Sequence, residues 1–362
     1  MHGKDLFQMI AQGSYPPSVP FVPTIYEHGA RIIGKTPAHV AVNKDLIIES
    51  QLACYELYQH DLVSVGLDIY NIEVEALGLK IHYPSNKELP SAQGVLVTCR
   101  EDLSLLKTPN PSTDGRMPIF LEACREIKQK IGRFVGINGT VVGPFTLAAI
   151  LRGFENFIMD MIYDPEFALL QMRFAKEVAI RYAQGFLDTG VGLSINESWI
   201  TPPLLSPSLF RQMVLPMEQA LMQDMKSMGF KSIALISGGN TTAIASDLIS
   251  TGTSLLMADF MTDQNLYKNL CRQHHVLLRA SIDPKIVEKG TENEMSAAVD
   301  KVFDACGDYH GFVFGCGIVS YDTPPEQVLR LKKMVAQASQ KTQIGSKFCQ
   351  TQTQDELHSC PI

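Results

Sequence analysis

The feature that most limits what this chain can become is a recurrence of short, continuous apolar runs separated by segments of helical spacing. The runs fall at 62–70 (LVSVGLDIY), 94–99 (GVLVTC), 133–139 (RFVGING), 191–197 (VGLSINE), 232–237 (SIALIS), 254–260 (SLLMADF), 276–283 (VLLRASID) and 311–317 (GFVFGCG). Strands apolar on both faces suit a parallel sheet whose two sides are covered. Most gaps between them hold amphipathic stretches such as 165–190 and 210–229, each closed by a glycine, as helix C-termini favour. About eight strand–helix units predict a single-domain α/β fold, the (β/α)8 TIM barrel, rather than an open sheet.

Three segments stand outside that repeat. Residues 1–19 read as an N-terminal extension, and 20–339 as the barrel. The polar, proline-bearing stretch from Glu75 to Pro118 reads as an insertion near the mouth. Residues 340–362 carry too few apolar side chains to pack and read as a disordered tail.

Composition then removes function classes. A net charge of -7 and the lack of any Lys/Arg run argue against nucleic acid. No run approaches the roughly 20 apolar residues of a membrane span, and no apolar stretch of signal-peptide length opens the chain, so a cytoplasmic protein is expected. The eight cysteines show no CxxC spacing and read as reduced thiols.

Barrel chemistry gathers at the C-terminal ends of the strands. The residues there are Asp68 and Asn71, Asn138, Glu197, Ser237 with Asn240, Asp259, Ser281 with Asp283, and Cys316. Asp283, just before Pro284, fits a helix cap. Glu197 lies too far ahead of the following helix to cap it, which marks it as a candidate for facing a ligand, with Trp199 as an apolar wall. Cys316 lies between two glycines at the last strand end, a context that exposes a thiol.

In VGPFTLAAILRG (142–153), DGRMPIFLEACREI (114–127), ESWITPPLLSPSLF (197–210), ISGGNTT (236–242), SIDPKIVEKGT (281–291) and GCGIVSYDTPPEQV (315–328) the chain resembles the uroporphyrinogen decarboxylase superfamily, and within it the cobalamin-dependent methyltransferase branch. The resemblance implies a barrel enzyme that exchanges a methyl group with a corrinoid cofactor carried by a separate corrinoid protein. It also implies zinc on a His-x-Cys pair and a final Cys. Cys316 stands at the last position. The pair falls on Leu235 and Ser237 if matched on the strand, or on Ile236 and Gly238 if matched on the following Gly-Asn, and none of these suits zinc.

A degraded zinc site implies a non-thiol partner: tetrahydrofolate as acceptor, or a methylated ether or amine as donor. On that reading Glu197 and Asp259 handle a proton or a charge, while Asn71, Ser237 and Asn240 hydrogen-bond the substrate. Two rivals remain. The decarboxylase branch resembles the chain less, offering only Arg31 and Lys35 for its arginine pair, Ile150 for its tyrosine and Cys316 for its histidine. A relative that only docks a corrinoid protein is the other.

Overall fold

The computed structural model describes the backbone of residues 1–356 and side chains through Thr342. Eight parallel strands form one sheet: β1 (Phe21–Ile25), β2 (Leu62–Ser64), β3 (Gly136–Val142), β4 (Gly192–Asn196), β5 (Ile233–Ile236), β6 (Leu255–Ala258), β7 (Leu277–Ile282) and β8 (Phe312–Val319). Their order is β1-β8-β7-β6-β5-β4-β3-β2, so the sheet curls until its first two strands meet. Helices pack around it, as the (β/α)8 barrel requires.

The seam between β1 and β2 explains the one misplaced strand. Pro23 sits in the middle of β1, and a proline has no N–H to offer a ladder. Phe21 and Pro23 face the β2 side, and there the contact is one backbone bond, Asp61 N–H to the Phe21 carbonyl at 2.9 Å. The Asp61 carboxylate adds a second by accepting the Phe21 N–H at 2.8 Å. A five-residue run interrupted by proline is a weak strand signal. The run 94–99, expected as a strand, pairs with no strand: the Leu96 and Val97 amides both donate to the Leu151 carbonyl, at 2.9 and 3.0 Å.

Local chemistry sets the helices. Helix Pro165–Thr189 starts on a proline with the Asp164 carboxylate accepting the Phe167 N–H at 3.3 Å, and stops at Gly190 in the left-handed region, φ 70°. Residues expected as a bare extension instead form helix Gly3–Ala11, which buries Leu6 and Ile10. Its Lys4 and Phe7 line a basal cavity of about 310 Å³ together with the N-terminal ends of several strands.

The expected insertion is a two-stranded hairpin, Lys80–His82 against Ser91–Gln93, and a short helix, Arg100–Leu105. An ion pair between Lys87 and Asp322 ties the hairpin to the loop after β8, at the mouth. The tail expected to be disordered is helical as far as Glu356, in the helix that begins at Pro325. Its Gln- and Lys-rich stretch has good intrinsic helix propensity and no proline to interrupt it before Pro361. Residues 357–362 of that tail lie outside the described residues.

Candidate functional site

A cavity of about 340 Å³ occupies the C-terminal half of the barrel. Leu62, Asn138, Ala234 and Leu255 line both it and the basal cavity, so they form a floor between the two. Above the floor the walls are apolar at Ile69, Ile236 and Met257 and polar at Tyr26, Tyr70, Asn196, Asp259 and Arg279. Phe260 and Ile318 reach the rim.

Strand alternation decides which side chains reach that space. On β5, Ala234 and Ile236 line the cavity, followed by Gly238. Ser237 points the other way; it is fully buried, and its Oγ has no partner among the described residues. Of the two registers for the His-x-Cys pair, the interior one is therefore Ile236 and Gly238. A sec-butyl side chain and a bare α-carbon supply no metal ligand. Among the described residues no group of three or more His, Cys, Asp or Glu is placed to hold a metal ion.

Cys316 is likewise absent from the lining; Gly317 and Ile318 line it instead. Phe312 and Phe314, on the same face of β8 as Cys316, pack against Phe303 of the outer helix layer. Burial pushes the Cys316 thiol up to about 11, against the lowering effects of Arg279 and the Thr24 amide. A neutral, enclosed thiol is neither a ready nucleophile nor a ready ligand. Cys316→Ser should leave methyl transfer within about tenfold of wild type, since lost packing of this kind costs about 1 or 2 kcal/mol. A folded variant with only background activity would return Cys316 to the chemistry.

Glu197 caps a helix after all, though not the helix that follows it. It is fully buried and accepts the Phe145 N–H at 2.8 Å, the Thr146 N–H at 3.0 Å and the Thr146 hydroxyl at 2.5 Å. These donors open helix Pro144–Arg152, whose own cap residue, Gly143, has no side chain. A Cβ on Gly143 would lie 2.2 Å from Glu197 Cγ, so the glycine admits the carboxylate. Against Glu197 lies Glu218, also fully buried, with no other partner for either oxygen among the described residues. Burial and the Glu197 charge push the Glu218 carboxyl well above its ordinary range. Burial beside the Glu197 charge thus favours the neutral form of Glu218.

The remaining candidates are displaced too. Asn71 donates to Asp68 and, at 2.9 Å, to the Pro90 carbonyl, which fastens the insertion; its neighbour Tyr70 lines the cavity and hydrogen-bonds Ser198. Trp199 stands edge-on to Phe154 at 5.5 Å, outside the cavity. Asn240 is exposed and accepts the Thr242 N–H at 3.2 Å. Asp283 caps the helix from Pro284, accepting the Lys285 N–H at 2.8 Å. Asn138 lies in the cavity floor, and of the residues given a catalytic, substrate-binding or metal role Asp259 alone lines the cavity. Its carboxyl is raised, by burial first, although the Met261 and Gly239 amides lower it.

One buried and one half-buried carboxyl group elsewhere set a pH dependence. Burial raises Glu73 and Glu27 each from 4.5 to about 7; Glu73 also accepts the Val142 N–H at the end of β3. A carboxyl whose folded value is raised stabilises the protein below its unfolded value, and that contribution is lost as pH rises through the folded one. Buried His28 and His60, lowered to about 4 and about 3, act in the opposite sense, but only below their ordinary 6.5. The melting temperature should thus fall between about pH 6.5 and 8. Glu73→Gln should flatten that slope in a thermal-melt series, and an unchanged slope would exclude Glu73 as its source.

A family model described as uroporphyrinogen decarboxylase matches residues 2–338, which brings the N-terminal helix within the family unit. A methylcobamide:CoM methyltransferase, MtbA, of Methanosarcina mazei is 26% identical over 277 residues, covering 76% of this chain and 78% of that protein. A uroporphyrinogen decarboxylase of Aromatoleum aromaticum is 24% identical over 319 residues, covering 83% and 86%. A solved methyltransferase from Methanosarcina mazei superposes with a TM-score of 0.81 at 24% identity, over 92% of this chain and 98% of that one. The chain belongs to the uroporphyrinogen decarboxylase family.

Proposed function

We propose that this chain is a corrinoid-dependent methyltransferase that moves a methyl group between a corrinoid on a separate protein and a small non-thiol molecule held in the mouth cavity. The observation that carries the second half is the interior of β5, where Ile236 and Gly238 stand in place of soft ligands able to turn a thiol into a thiolate. Similarity to methylcobamide:CoM methyltransferases supports the corrinoid half. Exposed apolar side chains at the mouth, Leu204, Phe260 and Met261 on loops and Ile318 near the end of β8, suit a docking partner.

Methyl transfer is an in-line displacement, so positioning and exclusion of water lower much of its barrier. Ile69, Ile236 and Met257 give the cavity dry walls, and Asp259 near the rim is placed to give or take the proton that an amine or ether oxygen must exchange. Tetrahydrofolate as acceptor, and a methylated amine or ether as donor, both meet these requirements. The decarboxylase alternative gains nothing from Arg31, which donates to the Tyr321 carbonyl at 3.3 Å away from the cavity lining.

Corrinoid absorbance tests the reading. Methylcobalamin is mixed with the purified chain and either thiol or amine acceptors, and cob(I)alamin with methylated ethers and amines. Turnover with a non-thiol partner is the expected result. Turnover confined to thiols, with near-stoichiometric zinc on Cys316, would overturn it.

A further inference from the structure

Arg279 lies in the middle of β7 with its side chain inside the barrel, 7% exposed. Its Nε donates to the Val22 carbonyl at 3.1 Å, and its Nη2 to Thr24 Oγ1 at 2.5 Å and the Cys316 carbonyl at 3.0 Å. All three acceptors are uncharged. Among the described residues no carboxylate pairs with it, and its ionisable neighbours are the Cys316 thiol and the Tyr26 phenol, both kept protonated by burial. Nη1 has no acceptor among the described hydrogen bonds. The guanidinium has dedicated space, since a Cβ on Gly315 would lie 2.6 Å from its Nε.

Asn196, at the end of β4, supplies an independent observation. It is 2% exposed, lines the same cavity, and its Nδ2 is buried without a partner among the described residues. A buried cation without a counter-ion and an unpaired buried amide donor are both unfavourable. Both residues line one cavity, and an acceptor that carries a negative charge would give the Arg279 guanidinium its missing partner.

The geometry points to an anion subsite in the mouth cavity, where Arg279, aided by Asn196, takes the carboxylate or sulfonate end of a small substrate. The register pairs Arg279 with Met257, and its Nε reaches up to Gly315, so an anion held by the guanidinium leaves the other end of the substrate to Asp259. Charge repulsion from Asp259 disfavours the reversed orientation. The methyl-exchanging end then lies at Asp259; this orientation rests on the function proposed above, whereas anion binding does not.

Calorimetric titration of the purified full chain with propionate, ethanesulfonate and inorganic phosphate, with propionamide as the neutral control, tests the subsite without any corrinoid. An organic anion should bind at least about tenfold tighter than propionamide, the gain expected from hydrogen bonds to a buried charge. Arg279→Met should abolish that preference. Asn196→Asp, nearly isosteric but negatively charged, should abolish it too, and decides the matter alone if the arginine variant does not fold. No preference in the wild-type chain, or one retained in a folded variant, overturns the subsite. Phosphate bound more tightly than both organic anions overturns its assignment to a substrate end. A chain that prefers organic anions yet never turns over a corrinoid keeps the subsite and loses the methyltransferase.

Discussion

Glu197→Gln is expected to cost the fold roughly 3 to 5 kcal/mol, the usual penalty for breaking a buried charged network from one side. The carboxylate serves three donors at the start of helix Pro144–Arg152 and lies against the buried Glu218 carboxyl. An amide of the same shape turns one of those oxygens into an NH2 group, which faces a donor with a donor and strands at least one buried N–H. Chemical denaturation reads the loss as a lower midpoint at unchanged slope. Turnover lost at an unchanged midpoint would instead place Glu197 in the reaction. Gly143→Ala should act in the same direction, because its methyl group would occupy the space of the Glu197 side chain.

Asp259→Asn is the counterpart, an effect on rate without one on the fold. Asparagine keeps the oxygen that accepts the Met261 N–H at 3.0 Å, so the loop after β6 retains its turn. What it removes is the only carboxylate on the cavity wall among the described residues. Loss of a general acid or base costs roughly two to four decades in rate. Single-turnover methyl transfer should fall by that much at an unchanged melting temperature. The wild-type profile should bend above pH 3.8, in keeping with a carboxyl raised by burial. A variant within tenfold of wild type would leave Asp259 a turn residue.

The barrel was legible because a strand buried on both faces leaves a continuous apolar run, and seven of the eight expected runs coincide with barrel strands. The eighth, β1, was hidden by Pro23. The site was less legible, and the errors share one cause. Asn71, Glu197, Trp199, Ser237 and Cys316 each lie beside a residue that lines the cavity: Tyr70, Asn196, Ser198, Gly238 and Gly317. A strand apolar on both faces carries no mark of which parity points to the axis, and a slip of one residue exchanges the faces. Chemical interest then favoured the carboxylate and the thiol over a tyrosine, an amide and a glycine. One signal was available: an arginine inside VLLRASID, or an asparagine closing LSIN, is costly in a buried strand and must have a reason to be there.

The seam at Pro23 gives β1 the character of a loose stave in a cask. Seven neighbouring pairs are held by ladders, whereas β1 and β2 are joined by one main-chain bond and an aspartate clasp. Yet this stave carries Val22, Thr24 and Tyr26 into the cavity, and Arg279 rests on Val22 and Thr24. Slackening of the clasp would therefore move a charge rather than merely widen a gap. The tightness of the ring and the aim of its buried cation are one mechanical quantity, set by a carboxylate that touches neither the cavity nor anything bound in it.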